Sequence, residues 1–105
     1  MNNDSELIKD FFNYLQFEKL YTTDTLKNYS IDLRQFNDFF KIKKIKINEC
    51  KKEDIENFFI ELNRLGLSPK SLSRKASTLR SFYSFLMKCS KIDVTPMSGI
   101  KTPKI

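Results

Sequence analysis

Residues 68–88 read SPKSLSRKASTLRSFYSFLMK, and the rest of the chain is organised around this stretch. Ser68 is placed to cap a helix that begins at Pro69, where a missing N–H costs nothing. No further Pro or Gly interrupts the stretch, which predicts a helix over 69–88 of about 20 residues and about 30 Å. Apolar residues recur every three or four positions and predict one buried stripe. They are Leu72, Ala76, Leu79, Phe82, Tyr83 and Leu86.

The opposite face of this helix carries cations and small hydroxyls. At about 100° per residue, the side chains pointing directly away from the stripe are Lys70, Arg74, Ser77, Ser81, Ser84 and Lys88. Ser73 and Arg80 flank them on one side, and Ser71 and Thr78 on the other. The helix holds five Lys and Arg and no Asp or Glu, whereas an ordinary solvated helix mixes both signs. Such a face is suited to a polyanion, since serine hydrogen-bonds without bulk. A basic face that is only solvated is the alternative.

Length and composition set the class of protein. The chain has 105 residues, with ten Phe, four Tyr, two Gly and no His, which predicts one aromatic-packed helical domain. No apolar run reaches the ~18 residues of a membrane span, and residues 1–10 are unlike a secretion signal. We therefore expect a cytoplasmic protein with no membrane contact. Cys50 and Cys89 lack metal-type spacing and are expected to be reduced. We expect no metal, cofactor or catalytic residue.

The net charge of +6 is divided unevenly along the chain. Residues 1–61 hold ten Lys and Arg against twelve Asp and Glu, whereas residues 62–105 hold nine against one. This asymmetry indicates an anionic partner for the second half, with nucleic acid as the leading candidate.

A first helix is predicted over about 5–18, capped by Asn3 or Asp4. Its inward residues are Leu7, Ile8, Phe11, Phe12 and Leu15. The alternative places Phe11 and Phe12 in a contact with another protomer.

A second helix is predicted over about 23–40, with Thr22 as its N-cap. Its buried stripe is Leu26, Tyr29, Leu33, Phe36 and Phe40. Thr22, Thr23 and Thr25 surround free backbone amides that are able to seat a phosphate. Simple capping explains the same threonines equally well, and both interpretations stay open.

Six lysines fall within 41–52, where a connector with a short extended piece is expected. A third helix over about 52–64 follows, with an inner stripe of Ile55, Phe58, Phe59 and Leu62. Its acidic outer side, which includes Glu53 and Glu56, would repel DNA and should face away from a duplex. Gly66 is a natural helix end. After Lys88 the periodicity stops, and residues 91–105 read as a linker with one short turn around Met97–Ile100.

The order of these signals resembles the N-terminal domains of tyrosine recombinases. Thr25–Phe36, TLKNYSIDLRQF, is similar to their T-L-x-x-Y-x-x-D-L-x-x-F. Glu53-Asp54-Ile55 with Phe59 and Leu62 resembles E-D-I-x-x-[YF]-[LF]-x-x-L. Ser71–Leu86 resembles S-x-x-R-x-[LA]-S-x-L-R-x-[FL]-[FY]-x-[FY]-L. The tail, Thr95-Pro96 then Ile100-Lys101-Thr102-Pro103-Lys104, resembles N-P-x-x-x-[LIV]-x-x-P-K. Thr95 departs from the usual Asn, and Lys51 from a usual Thr or Ser, which puts local boundaries in doubt.

The resemblance, closest to Xer-type and phage integrases, implies an all-α, four-helix SAM-like orthogonal bundle over 1–90 that clamps double-stranded DNA for recombination. The second and fourth helices would lie near the major groove, and the first would touch a neighbouring recombinase protomer, although the isolated domain should be monomeric. The DNA-contacting residues would be Lys70, Ser73, Arg74, Lys75, Ser77 and Arg80, with Thr23, Thr25, Lys27 and Asn28 from the second helix. For Arg80, a structural hydrogen bond at a helix junction is an equal alternative.

Family chemistry needs a nucleophilic Tyr, two Arg and His or Lys around the scissile phosphate. The chain has no His, and its four tyrosines lie in or beside predicted helices. We therefore expect that this polypeptide does not cleave DNA, and that a catalytic domain outside this sequence does so in a tyrosine recombinase. A protein-interaction module that meets an acidic partner is the rival function. An enzyme in its own right is disfavoured, because no carboxylate pair, metal cluster or Gly-rich loop is present.

Overall fold

Four α-helices account for most of the chain. The computed structural model describes residues 4–100, in which α1 spans Asp4–Phe17, α2 Thr23–Lys43, α3 Lys52–Arg64 and α4 Pro69–Lys88. A 3₁₀ turn at Ile47–Glu49 is the one other regular element in this range, which contains no strand. The all-α prediction is confirmed. Between residues 4 and 100, every helix is too short or too polar to cross a bilayer.

The helices fall into two compact units, one within Met1–Asn48 and one within Glu49–Ile105. Helices α1 and α2 pack together in the first unit, and α3 packs with α4 in the second. Each unit contains one N-terminal partner helix and one longer helix that follows it.

Aromatic side chains fill the first unit. Its buried apolar residues are Leu7, Phe11, Leu15, Leu33, Phe36, Phe40 and Ile47. The ring of Phe11 meets Tyr29 edge-on, with centroids 5.9 Å apart, a favourable aromatic geometry. Phe12 is half-buried, with its ring 6.2 Å from that of Phe11. Phe11 is therefore a core residue, as the first of the two interpretations predicts.

The helix ends in the first unit differ from expectation. Helix α1 begins and ends one residue earlier than predicted, and Asp4 lies inside it. The Asp4 carboxylate accepts a hydrogen bond from the Ile47 backbone N–H, at 3.1 Å. Asn3, the other candidate cap, lies outside the described residues. Helix α2 continues three residues past its predicted end.

The predicted extended piece in the connector is wrong, since the chain forms the 3₁₀ turn there. Ile47 explains the difference. It is completely buried, and its amide is held by Asp4. A tight turn is what brings this side chain inward directly after α2.

The second unit buries a broad side of α4. Nine of its residues are buried, namely Leu72, Lys75, Ala76, Thr78, Leu79, Phe82, Tyr83, Phe85 and Leu86. Helix α3 adds Ile55, Phe58 and Leu62 to the core, while its fourth predicted inward residue, Phe59, is half-buried. Met97 and Ile100 are also buried. The predicted turn is present there, because the Ile100 N–H donates to the Met97 carbonyl at 3.1 Å.

Each of the four helices is followed by a left-handed residue, but only α3 uses glycine. The residues are Leu20, Lys44, Gly66 and Ser90, with φ angles of 54°, 59°, 90° and 59°. After α2, the N–H groups of Lys44 and Ile45 donate to the carbonyls of Lys41 and Phe40 at 3.1 and 2.9 Å. This pair of bonds is a Schellman motif. A residue with a Cβ pays about 1 kcal/mol for the left-handed conformation, so three helix ends carry a strain that α3 avoids.

We expect opposite stability changes at two of these helix ends. Gly66→Ala should lower the free energy of unfolding by about 1 kcal/mol, because φ is 90° there even though nothing lies within 4 Å of an added Cβ. Lys44→Gly should raise it by about 0.5 kcal/mol, since the relieved strain exceeds the added entropy of glycine in the unfolded chain. Urea unfolding followed by circular dichroism measures both changes. Changes of the same sign would contradict this account.

Candidate nucleic-acid interface

Helix α4 begins where its local sequence predicts. The Ser68 hydroxyl accepts a hydrogen bond from the Ser71 backbone N–H at 3.2 Å, and Pro69 is the first helical residue. The Ser68 hydroxyl also donates to that of Ser71 at 3.2 Å. This capped start fixes which side chains of α4 point outward.

A strip of six residues follows the exposed side of α4, where Arg80 and Met87 are exposed as well. The strip consists of Lys70, Arg74, Ser77, Ser81, Ser84 and Lys88, all exposed except the half-buried Ser81. They are spaced by four and three residues in alternation, so they follow one line along the helix. No acidic residue occurs anywhere in α4. Hence the outward face that the sequence predicts is the one that α4 presents to solvent.

Lys75 does not belong to this face. It is predicted to contact DNA, yet it is only 3% exposed and it interacts within the protein. Thr78, which the helical wheel puts on a flank, is 4% exposed. Among residues 4–100, no buried side-chain nitrogen or oxygen lacks a hydrogen-bond partner. Because Lys75 is buried, we do not propose it as a DNA contact.

Arg80 performs the structural role that one of its two interpretations predicts. Its Nη2 donates to the Ile100 carbonyl oxygen at 3.2 Å. The segment that ends at Ile100 is ordered by its own bonds, since the Thr95 hydroxyl accepts from the Met97 N–H at 3.1 Å. Arg80 therefore fastens the outward flank of α4 to the turn at residues 97–100. Ser73, on the same flank, is half-buried.

In the first unit, the N-terminus of α2 shows threonine capping. The Thr22 hydroxyl accepts from the Thr25 N–H at 3.3 Å and donates to the Thr25 hydroxyl at 3.0 Å. Thr23, Lys27 and Asn28 are exposed, and Thr25 is half-buried. Thus capping accounts for Thr22 and Thr25, and a phosphate contact at this end stays a prediction.

Helix α3 keeps its acidic side outward. Glu53 and Glu56 are exposed. Glu61 and Arg64 form a bidentate pair, with Arg64 Nε 3.0 Å from Oε1 and Nη2 2.6 Å from Oε2. This hydrogen bond and the accompanying charge attraction raise the pKa of Arg64. Glu61 therefore offsets the charge of Arg64 on α3.

Three of the four tyrosines occupy packing positions. Tyr83 is 1% exposed, and its hydroxyl oxygen lies 3.0 Å from the Cys50 sulfur. Tyr29 is half-buried beside Phe11, and Tyr14 is half-buried with the Lys19 ammonium 5.9 Å from its ring centroid. Within residues 4–100, no group of His, Cys, Asp and Glu is arranged to hold a metal ion.

Residues 8–89 match the family described as "Phage integrase, N-terminal SAM-like domain". The chain belongs to this SAM-like domain family. The match covers all of α2, α3 and α4 and most of α1.

Individual relatives of this SAM-like domain are Xer recombinases. It is 36% identical over 105 residues to tyrosine recombinase XerC of Bacillus subtilis, which covers 99% of the chain and 34% of that protein. It is 34% identical to tyrosine recombinase XerC of Leptospira interrogans, covering 96% and 33%. For tyrosine recombinase XerD of Listeria monocytogenes the identity is 34%, covering 95% and 34%. The chain thus spans about a third of the length of these relatives. No solved structure matches it significantly.

Two buried charged residues were missed by the sequence interpretation, although a signal existed. Lys75 follows Leu72 by three residues and precedes Leu79 by four, which places it within the apolar stripe. Asp32, in α2, precedes Phe36 by four residues and is 2% exposed. Charged residues at such positions indicate internal interactions, and both residues have them.

The role of Arg80 can be tested against that of Lys70. We expect Arg80→Ala to speed hydrogen exchange at the Ile100 amide and to destabilise the second unit by about 1 kcal/mol, because a partly buried hydrogen bond is lost. Lys70→Ala, which removes an exposed charge from the same helix, should leave this exchange unchanged. NMR exchange measurements on both variants decide the matter. An Ile100 amide that exchanges equally fast in Arg80→Ala and in the parent chain would rule out the fastening role.

Proposed function

We propose that this SAM-like domain is the DNA-holding part of a Xer-type tyrosine recombinase. The observation that carries the proposal is the acid-free strip of α4, which is solvent-exposed along the helix. A line of cations and short hydroxyls suits the regularly spaced phosphates of a duplex. Family membership and the relatives' names support the same function.

The proposed contacts come from two kinds of side chain. Lys70 and Arg74 would pair with phosphates, and Arg74 also has the fork geometry needed to read a guanine edge. Ser73 and Ser77 would donate hydrogen bonds to phosphate oxygens while letting the backbone of α4 come close. Thr23, Thr25, Lys27 and Asn28 at the start of α2 are proposed as additional contacts.

The chemistry of recombination would belong to another part of the parent protein. A tyrosine recombinase needs a nucleophile and cations around one phosphate, and this sequence contains no His. In the proposal, the domain positions the duplex while residues outside this sequence break and rejoin its strands. Other recombinase protomers would be partners in that assembly, which would work in the cytoplasm.

The strip makes a quantitative prediction about salt. Each phosphate contact lowers the slope of log K against log salt concentration by about 0.9. Lys70→Ala/Arg74→Ala should therefore weaken duplex binding and flatten the slope by about 1.8. Lys9→Ala/Lys19→Ala removes the same net charge from exposed positions of the first unit and should change the slope far less. Fluorescence anisotropy across a salt titration measures both.

Two outcomes of this titration would reject the proposal. One is equal binding by the parent chain and the Lys70→Ala/Arg74→Ala variant at every salt concentration. The other is binding to heparin that matches binding to duplex DNA and vanishes near 0.15 M salt for both, which an acidic protein partner for the basic face would explain better. A duplex preference that survives at that salt concentration supports DNA as the partner.

The chain by itself should leave DNA intact. We expect no covalent adduct when it is incubated with a suicide duplex that traps 3′-phosphotyrosyl intermediates. Denaturing electrophoresis of a labelled duplex provides the measurement. A protein-linked strand, lost when Tyr21, the exposed tyrosine, is changed to Phe, would show a catalytic tyrosine here.

A further inference from the structure

An open groove lies on the second unit, away from the strip of α4. Its volume is about 550 Å³. The apolar lining comprises Phe59 and Ile60 of α3, Leu72 of α4 and Ile100. Glu53 and Glu56 line it as well, and no cation within residues 4–100 does. We call this feature the acidic groove.

The acidic groove exposes an apolar side chain and two carboxylates that a partner could contact. Ile60 is 64% exposed in the middle of α3, although Leu72 and Ile100 beside it are buried. Among residues 4–100, no ion pair is found for Glu53 or Glu56. An apolar side chain with flanking cations would bury Ile60 and pair with both carboxylates.

The first unit displays a segment with that chemistry. Residues 41–46 comprise the last turn of α2 and the start of the connector, and we call them the basic loop. They contain four lysines, no acid and one strongly exposed apolar side chain, Ile42 at 79%. The nearby isoleucines are turned inward to differing degrees, with Ile45 half-buried and Ile47 fully buried. An apolar groove can bury the side chain of Ile42, whereas a phosphate backbone cannot.

The basic loop is also held in one shape. The Schellman bonds of Lys44 and Ile45 fix its first half, and the bond from the Ile47 amide to Asp4 fixes its end. The Lys43 ammonium lies 5.6 Å from the centre of the Phe39 ring. A segment that is ordered before binding loses little entropy when it docks.

We propose that the basic loop of one copy docks into the acidic groove of a second copy. Ile42 would enter between Phe59 and Ile60, and lysines of the loop would pair with Glu53 and Glu56. The contact joins two different surfaces, so it is head-to-tail and leaves one loop and one groove free for further copies. It is small and therefore weak between free molecules, and it would strengthen when copies are held side by side.

This contact specifies a surface for the protomer assembly within the proposed function, but its test uses no DNA. The two proposals can therefore fail separately. The test mixes two single-cysteine chains in a Cys50→Ser/Cys89→Ser background, one with Ile42→Cys and one, isotopically heavy, with Ile60→Cys. Because each chain has one thiol, any mixed disulfide joins two copies. Val94→Cys, at an exposed position of the same unit as Ile60, is the matched control.

We expect the Ile42–Ile60 mixed disulfide to form at least about tenfold faster than the Ile42–Val94 one. Charge reversal sharpens the test. Lys41→Glu/Lys43→Glu on the loop copy, or Glu53→Lys/Glu56→Lys on the groove copy, should each slow it roughly three- to tenfold. Combining the two reversed copies should restore the rate, since the pairs are then attractive again.

Equal rates for the Ile60 and Val94 partners would overturn the proposal, as would reversed copies that do not restore each other. A further contradicting result would be an Ile60→Cys thiol that does not react with a small thiol reagent. The groove would then be filled by its own chain and could not receive a second copy. A second measurement needs no introduced cysteines and applies even if the Cys50→Ser/Cys89→Ser chain folds poorly. Adding unlabelled Glu53→Lys/Glu56→Lys protein to labelled parent chain should shift the amides of residues 53–60, and unshifted amides would reject the contact.

Discussion

The burial of α4 along one whole side is the constraint on which the second unit depends. Nine of its residues face the interior, and these include a lysine and a threonine that a simple apolar stripe would leave outside. What the helix offers to a partner must therefore come from its exposed side, most of which is the strip. Since that strip contains Lys70, Arg74 and serines with no carboxylate, the same packing that stabilises the helix also concentrates its positive charge along one line.

The tail after α4 is tied into this arrangement. Arg80 sits at the edge of the strip and donates to the Ile100 carbonyl, while Met97 and Ile100 bury their side chains. The outward flank of α4 and the turn at residues 97–100 thus share one side chain. Any force on residues 97–100 would reach α4 through Arg80 and through the apolar contacts of the turn.

Much of the fold could be predicted from sequence because local signals agree with the packing. The Ser68-Pro69 start and the Gly66 end define α3 and α4, whose observed bounds equal those expected. Prediction failed where an atypical end residue or a distant residue decides the local structure. Helix α2 runs on to Lys43 because the left-handed Lys44 closes it, although lysine is not a typical end residue, and the turn at Ile47 depends on Asp4, 43 residues earlier.

The candidate site was predictable to a similar degree. Helical periodicity alone gives the strip, and the structure exposes it. Periodicity also indicates that Lys75 is buried, because Leu72 and Leu79, three and four residues away, lie on the buried side. The hydrogen bond of Arg80 was beyond sequence reasoning, because its acceptor is a backbone carbonyl in a segment without periodicity.

The contact between Cys50 and Tyr83 makes the reactivity of Cys50 sensitive to local opening of the second unit. The Cys50 sulfur is half-buried and hydrogen-bonded to a buried tyrosine hydroxyl, whereas Cys89, directly after α4, is exposed. A thiol reagent should therefore react faster with Cys89 than with Cys50, whose reaction is promoted by local opening of the second unit. The ratio of the two labelling rates reports that opening, and a ligand that tightens the unit would change the slower rate while leaving the faster one alone.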